Sequence, residues 1–187
     1  MPAQLYTWGK GINGQLGHSK DFTVTEADDL ERVDCPMALR GLACGHFHSI
    51  ALSETGQVYS WGRGALGLLG HGSEEDSKPR LVDKLKSVTQ VACGAYQSAA
   101  VTASGEVVLF GWAGLPPSDK NKGSTGSLEA TYFTSPRIAR GLPAGLKVAG
   151  VTCGCYATAV WSTVRAHPLR STRHAHGLPR PGHAVVL

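Results

Sequence analysis

The feature that most constrains the fold of this chain is a pair of short phrases that recur along it. One phrase is built on a Cys-Gly pair and occurs around three cysteines, Cys44, Cys93 and Cys153. The other ends in an aromatic residue and a glycine, and its aromatic positions are Trp8, Trp61 and, more loosely, Phe110. A period of about 50 residues indicates a stacked or radial array of similar units. Each residue therefore has to be interpreted first by its place in the repeat.

Within each repeat the residues alternate as half-buried strands do. The Cys-Gly pair is followed by an aromatic residue, then a hydroxyl residue, then small apolar residues that suit strands. Gly56 and Gly105 lie in segments typical of hairpin turns, where glycine accepts a positive φ without a Cβ clash. The pattern predicts an all-β protein with at least two hairpin-linked strands in each repeat.

These phrases resemble the repeat of the regulator of chromosome condensation family. In that repeat a strand ending in Trp-Gly precedes a Gly-Gln-Leu-Gly loop, a Pro-x-x-Val segment and a Val-x-Cys-Gly-x-x-His-Ser strand. Here the loop is found at residues 14–17 and 67–70, the proline segment at 79–82 and the final strand at 44–49. The resemblance covers about residues 3–160 and implies the blades of a β-propeller, with about seven blades usual in that family.

The third repeat departs from this pattern, because Phe110 replaces the tryptophan and the glycine loop is missing. We expect a repeat region at residues 1–160, divided at approximately 3–55, 56–104 and 105–160. Closed propellers contain roughly 4 to 8 blades. Three repeats therefore predict an incomplete β-propeller with open edges, which could associate with another chain or be completed in trans.

Beyond the repeats, residues 161–187 are rich in arginine, histidine and proline and contain no acidic residue. This composition is typical of disorder, so we expect a disordered tail, interpreted as an alternative C-terminus on a truncated array. The tail arginines account for the whole formal net charge of +4: Arg165, Arg170, Arg173 and Arg180. The repeat region is neutral, and we predict no direct contact with nucleic acid.

Residues 9–14 fit the G-x-G-x-x-G pattern of a dinucleotide-binding loop. Such a site also requires a helix that begins at the loop and an acidic residue about 20 residues further on. Residues 15–19 are a poor helix start, and the same pattern returns in phase at 62–67. Two copies at the repeat spacing indicate a turn of the repeat, so we predict no cofactor.

The five cysteines raise the question of metal or redox chemistry. Three share one phase and are expected to face the core as small apolar thiols. Equivalent positions in neighbouring blades lie too far apart to share an ion at about 2.3 Å from each sulfur. Cys155 forms a C-x-C pair with Cys153, but it occupies the position of His46 and Ala95 in the other repeats. Structural cysteines are the favoured interpretation.

His46 and His48 are two residues apart on a predicted strand and should share a face, but no third metal ligand has a matching phase. A hydrogen-bonded histidine of the repeat is therefore favoured. Acidic residues at 28–29 and 74–76 are expected in long, solvated loops. Metal binding by the tail histidines would lack fixed geometry: His167, His174, His176 and His183. No residue set has a defensible catalytic spacing, so we predict no enzymatic activity and no catalytic, cofactor-binding or metal-binding residues.

The irregular insertion at 112–135 combines two prolines, two lysines and several aromatic residues. Loops on a rigid scaffold often carry recognition, so this is the place where a specific contact is expected. A tolerated surface insertion is the alternative interpretation.

These expectations describe a protein-interaction module. The family resemblance implies regulation of a small GTPase in the manner of a guanine-nucleotide exchange factor, but the matching motifs are scaffold motifs and identify no partner-binding residue. The alternatives are a non-exchanging scaffold or recruitment part of a ubiquitin-ligase, membrane-traffic or chromatin protein, and an inactive truncated product.

The sequence also bears on location. No apolar run reaches the roughly 18 residues needed for a membrane span, and the first repeat begins by Leu5, before a secretory signal could fit. We therefore expect a cytoplasmic protein, a nuclear protein, or one found in both places.

Overall fold

The computed structural model describes residues 4–18, 26–35, 38–112, 132–143, 145–162 and 184–186. Within these residues the chain is built of antiparallel strands, with one single-turn 3-10 helix at Ala65–Gly67. The all-β class predicted from the repeats is confirmed.

The described strands form four antiparallel sheets. The first sheet pairs β1 (Leu5–Lys10) with β2 (Glu26–Val33). The second has the order β3 (Leu39–Cys44), β4 (His48–Ser53), β5 (Val58–Gly62) and β6 (Ser77–Leu81). The third repeats this order with β7 (Val88–Cys93), β8 (Gln97–Thr102), β9 (Val107–Trp112) and β10 (Tyr132–Ile138). The fourth contains β11 (Gly150–Cys153), β12 (Thr158–Trp161) and β13 (Ala184–Val186).

The sheets and the sequence repeats are offset from each other. The second sheet takes its first two strands, β3 and β4, from the first repeat and its last two strands, β5 and β6, from the second repeat. The third sheet is divided in the same way between the second and third repeats. Every boundary between repeats therefore falls inside a sheet, and the main-chain hydrogen bonds of that sheet join the two repeats.

Equivalent residues pair in the same register in successive sheets. Cys44 lies opposite Ser49 in the second sheet, and Cys93 lies opposite Ser98 in the third. In the fourth sheet Cys153 pairs with Thr158 in the same way. The recurring phrases are therefore copies of one structural unit, as the sequence indicated.

The hydrophobic core consists of three clusters, each lying between neighbouring sheets. The cluster between the second and third sheets includes Ile50, Val58, Val88 and Phe110. A second joins the third and fourth sheets, and a third packs the first sheet against Trp61. Face-to-face packing of sheets through such layers is the architecture of propeller blades. An arc of blades, consistent with an incomplete propeller, is the observed arrangement.

The two glycine loops form turns of the repeat. In the first, the Gly14 N–H donates to the Gly11 carbonyl at 2.8 Å, and in the second the Gly67 N–H donates to the Gly64 carbonyl at 3.0 Å. Neither loop begins a long helix; the second contains only the three residues of the 3-10 turn. The geometry required of a dinucleotide-binding loop is absent from both described loops.

Two expectations are corrected by the strands. Asp28 and Asp29, expected in a solvated loop, lie within β2, at the irregularity between its two segments that pair with β1. Ala184–Val186, assigned to a disordered tail, form β13 and pair with β12. An edge strand offers unpaired main-chain groups, and an Ala-Val-Val run suits a strand, so the pairing has a local physical basis.

Several predictions lie outside the described residues. The middle of the insertion, residues 113–131, belongs to this group, as do residues 163–183 of the tail. The four tail histidines named above are among them: His167, His174, His176 and His183.

Candidate functional site

In each of the last three sheets, the first two strands are joined by the same tight turn. In these turns a glycine N–H donates to a carbonyl three residues later, at 2.8 Å from Gly45 to His48, 2.8 Å from Gly94 to Gln97 and 2.7 Å from Gly154 to Ala157. Each turn presents its aromatic residue from the same backbone position. The repeat therefore displays one aromatic side chain per hairpin.

Glycine is required because the turns pack directly on each other. A Cβ atom at Gly45 would collide with the Gly94 carbonyl oxygen, and one at Gly94 would collide with the Gly154 carbonyl oxygen. Both obstacles are backbone atoms, which cannot move aside as a flexible side chain can. Close packing thus sets the spacing between neighbouring aromatic residues.

The result is an aromatic row made of Phe47, Tyr96 and Tyr156. The Phe47 and Tyr96 ring centroids are 5.5 Å apart, and the Tyr96 and Tyr156 centroids are 5.6 Å apart. His46 stacks on Phe47 at 4.4 Å, and Trp112 meets Tyr156 edge-on at 5.7 Å. These separations are favourable for aromatic pairs. Five rings therefore form a continuous surface across three sheets.

The row faces outward and takes no part in the three core clusters. Tyr156 is 63% exposed, and Phe47 and Tyr96 are half-buried. Partly exposed aromatic side chains that lie side by side are a feature of interaction sites in soluble proteins.

Arg63 gives one end of the row a positive charge. Its guanidinium carbon lies 5.4 Å from the Phe47 ring centroid, and its main-chain N–H donates to the Phe47 carbonyl at 3.0 Å. In the next blade the main-chain N–H of Trp112 donates to the Tyr96 carbonyl at 2.8 Å. Arg63 is exposed and forms no ion pair with any carboxylate among the described residues. A cation–π contact thus holds a guanidinium that is available to a partner.

Beneath the row, side-chain hydrogen bonds join successive sheets. His48 Nε2 lies 2.7 Å from Ser98 Oγ, and Ser98 Oγ donates to the Leu68 carbonyl at 2.8 Å. The single hydroxyl proton of Ser98 is used in the second bond, so His48 Nε2 carries a proton and donates in the first. Gln97 Nε2 makes the equivalent bond to Thr158 Oγ1 at 3.1 Å in the next pair of sheets.

His48 is held neutral by its surroundings. It is fully buried, its Nδ1 has no hydrogen-bond partner, and burial lowers its pKa to about 4. His46 instead lies exposed in the turn. The expectation that His46 and His48 share one face is therefore wrong, because the chain turns between them before β4 begins.

Each early glycine loop packs against the aromatic residue of the following repeat. The Trp61 indole N–H donates to the Gln15 carbonyl at 2.9 Å, and a Cβ atom at Gly17 would lie 2.7 Å from that indole nitrogen. A Cβ atom at Gly70 would lie 2.8 Å from the Phe110 ring in the same way. The loops are interlocking parts of the scaffold.

Sequence reasoning missed a second pair of repeat histidines. His18 Nε2 lies 2.8 Å from Thr7 Oγ1, and His71 Nε2 lies 3.2 Å from Ser60 Oγ. In both repeats the hydroxyl also donates to a loop carbonyl at 2.7 Å. The shared sequence Gly-x-Leu-Gly-His at the end of each loop was the available signal.

The phased cysteines have unlike environments. Cys44 is exposed, so the prediction that it faces the core is wrong; its alternate position in β3 points it away from the sheet-to-sheet contact. Cys93 is half-buried with its thiol donating to the Ala43 carbonyl at 3.5 Å, and burial raises its pKa. Among the described residues no group of three or more histidine, cysteine, aspartate or glutamate side chains could hold a metal ion.

The acidic segment at 74–76 is exposed, but two of its carboxylates accept hydrogen bonds. Asp76 accepts the Gly64 N–H at 2.8 Å, and Glu74 accepts the Tyr132 hydroxyl at 2.6 Å. These bonds hold the second glycine loop against β10. Trp112, the first residue of the insertion at 112–135, is part of the aromatic surface described above.

Repeated four-stranded antiparallel blades, joined through glycine loops and buried aromatic residues, define a β-propeller repeat protein. The sequence pattern of the regulator of chromosome condensation (RCC1) repeat matches residues 3–52 and 55–101, and a second pattern of that name matches residues 40–67. The chain belongs to the RCC1 repeat family.

The relatives of this chain are much longer proteins, and the chain matches only part of each. The chain is 33% identical to the human E3 ubiquitin-protein ligase HERC2 over 163 residues, which are 86% of this chain and 3% of HERC2. It is 34% identical to human protein RCC2 over 119 residues, 58% of this chain and 21% of RCC2. The chain therefore spans a small part of these relatives.

Solved structures show the same fold. Human WBSCR16 superposes with a TM-score of 0.65 at 25% identity, covering 84% of this chain and 40% of that one. Prp20p from Saccharomyces cerevisiae superposes with a TM-score of 0.66 at 20% identity, covering 86% of this chain and 39% of Prp20p. In the described part of the chain, no helix has the length and apolar character needed to cross a membrane.

Proposed function

We propose that this chain acts as a protein-interaction module and contacts its partner through the aromatic row. The supporting observation is the stacking of Phe47, Tyr96 and Tyr156 on turns whose spacing is set by glycine packing. Aromatic residues and arginine are enriched at the centres of protein interfaces, and rigid rings lose little conformational entropy on binding. The row needs no covalent chemistry, so the module works without catalytic residues of its own.

A small GTPase is the first specific partner that we propose. Family membership supports it, and so does the fold shared with Prp20p, whose structure is described together with its binding to Gsp1p and histones. Acceleration of nucleotide exchange requires a surface that distorts the phosphate and magnesium site of the GTPase. A rigid aromatic face with an adjacent guanidinium is suited to such a contact.

The experiment is a nucleotide-release assay on a panel of small GTPases loaded with a fluorescent GDP analogue. We expect faster release from one or more members, and loss of this acceleration in Tyr96→Ala. Trp8→Ala is the matched control, because Trp8 is 64% exposed but lies outside the aromatic row. Equal release with and without the chain across the panel would exclude exchange activity.

The second candidate is a non-exchanging scaffold that recruits a protein to a larger assembly. The 33% identity with HERC2 across 86% of this chain favours it. In that case a partner binds to the aromatic row, Tyr96→Ala weakens its binding, and no GTPase releases nucleotide faster. For either role we propose that the protein acts in the cytoplasm, the nucleus or both.

A further inference from the structure

We propose that the aromatic row binds an extended protein segment in which an acidic residue lies next to prolines or other apolar residues. This inference rests on the proposed function, since it names the kind of partner segment that the same surface takes. Three properties of the row support it: the spacing of its rings, the positive charge at one end and the difference between its two ends.

The spacing of the rings suits an extended backbone. Successive ring centroids are 5.5 and 5.6 Å apart. An extended chain rises about 3.3 Å per residue and presents alternate side chains to one face, so side chains on that face are roughly 6.6 Å apart. The two spacings differ by only about 1 Å, so successive side chains on one face of the segment can contact successive rings. Proline-rich segments also dock on aromatic-lined surfaces, as a preformed polyproline II helix that loses little entropy on binding.

The charge of the row selects an acidic residue. The exposed Arg63 has no carboxylate partner among the described residues, and the turns at 44–47, 93–96 and 153–157 contain no acidic side chain. A carboxylate placed beside Phe47 would accept charge-assisted hydrogen bonds from Arg63, which are about twice as strong as neutral ones. Asp76 lies close by and accepts the Gly64 N–H at 2.8 Å, but it forms no ion pair with Arg63.

The two ends of the row differ, and this gives the bound segment a direction. Arg63 and His46 lie at the Phe47 end, whereas Trp112 lies edge-on to Tyr156 at the other end. The acidic residue of the partner therefore belongs over Phe47, and its apolar residues extend toward Tyr156 and Trp112.

Single-stranded nucleic acid also stacks on exposed rings, and it is the main competing class of ligand. Its binding depends on several cationic contacts to phosphates. The described row carries one guanidinium, and the excess positive charge of the chain lies in the tail, in the four arginines already named. An acidic peptide fits one guanidinium better than a phosphate backbone does.

The test is selection of binders from a random library of displayed twelve-residue peptides on the full chain. We expect enriched peptides to contain an aspartate or glutamate next to prolines or apolar residues. Synthetic copies should bind at least about tenfold more weakly to Tyr96→Ala and Tyr156→Ala, and with unchanged affinity to Trp8→Ala. Arg63→Glu should shift the enriched charge from acidic to basic, with the apolar residues retained.

The outcomes separate the two proposals. Peptides that need Tyr96 but show no acidic preference, and bind Arg63→Glu equally well, would overturn the acidic segment and leave the aromatic row as a binding surface. Peptides that are indifferent to Tyr96 and Tyr156, or no enrichment at all, would overturn both. A fluorescent twelve-nucleotide oligothymidine that binds more tightly than the selected peptides, and needs Tyr96, would show that the row takes nucleic acid instead.

Discussion

His48 in one blade and Ser98 in the next are joined by a buried hydrogen bond of 2.7 Å, and the serine hydroxyl donates its own hydrogen bond to the Leu68 carbonyl. This arrangement uses His48 Nε2 as a donor and leaves Nδ1 buried without a partner. Protonation would place an uncompensated charge at Nδ1 inside the contact between blades. The contact therefore depends on His48 remaining neutral.

Stability should consequently fall in mild acid. Burial lowers the pKa of His48 from 6.5 to about 4, so the unfolded chain binds this proton before the folded chain does. The contribution of His48 is complete above pH 6.5 and is lost as the pH falls toward 4, with a total of roughly 3 kcal/mol. Urea unfolding at pH 7.0 and pH 4.5 measures the difference.

His48→Gln is the control for this pH dependence. Glutamine occupies the equivalent position in the next repeat, where Gln97 donates to Thr158. The substitution should preserve a donor to Ser98 and remove the titrating group, so the variant should lose less stability than the parent between pH 6.5 and 4. Identical pH profiles for the two proteins would show that His48 is not responsible.

A methyl group at Gly17 should weaken the contact between the first two repeats. Gly17 has a φ of +75°, and its Cβ atom would lie 2.7 Å from the Trp61 indole nitrogen. Gly9 has a φ of +97° but nothing within 4 Å of its Cβ position, so Gly9→Ala carries the backbone strain alone. We expect Gly17→Ala to lower the free energy of unfolding by about 1 to 3 kcal/mol more than Gly9→Ala does. Equal losses in chemical denaturation would contradict the indole contact.

Removal of a ring from the aromatic row should cost little stability compared with removal of a buried ring. Tyr156 is 63% exposed, whereas Phe110 is 1% exposed and belongs to the core between the second and third sheets. We expect Tyr156→Ala to destabilise by about 1 kcal/mol or less, mainly through lost ring contacts, and Phe110→Ala by about 3 to 5 kcal/mol. Thermal melts of both variants provide the comparison. A large loss in Tyr156→Ala would indicate that the row serves folding.

The cysteines should differ in reactivity. Burial raises the pKa of the Cys93 thiol, whereas Cys44 is exposed. Because the thiolate is the reacting species, Cys93 should react slowly with a disulfide reagent at pH 8. Cys44→Ser should therefore remove part of the fast phase, and Cys93→Ser should leave the fast phase unchanged. Loss of fast amplitude in Cys93→Ser would show that this thiol is accessible.

Much of this architecture was visible in the sequence because it depends on local chemistry. Cys44 and Cys93 recur with the same neighbours and pair in the same register, and Gly56 has the positive φ that its hairpin requires. The family, the all-β class and the incomplete propeller follow from such features.

The aromatic row was harder to predict because it depends on contacts between repeats. Tyr96 and Tyr156 share a phase, but their ring contact arises only when Gly94 packs against Gly154. The same limit applies to β2, whose Asp28-Asp29 pair resembles loop sequence but lies between two segments that pair with β1. Partners that are distant in the chain leave little trace in a local pattern.

The offset between repeats and sheets has an evolutionary consequence. Suppose that a gene loses or duplicates a segment one repeat long. The first two strands of one blade are then joined to third and fourth strands from another repeat, which match the strands they replace. The new blade has all four strands. The glycine loop that packs against the aromatic residue of the following repeat is also retained. Arrays of this construction can therefore gain or lose copies by recombination while each blade keeps its full set of strands.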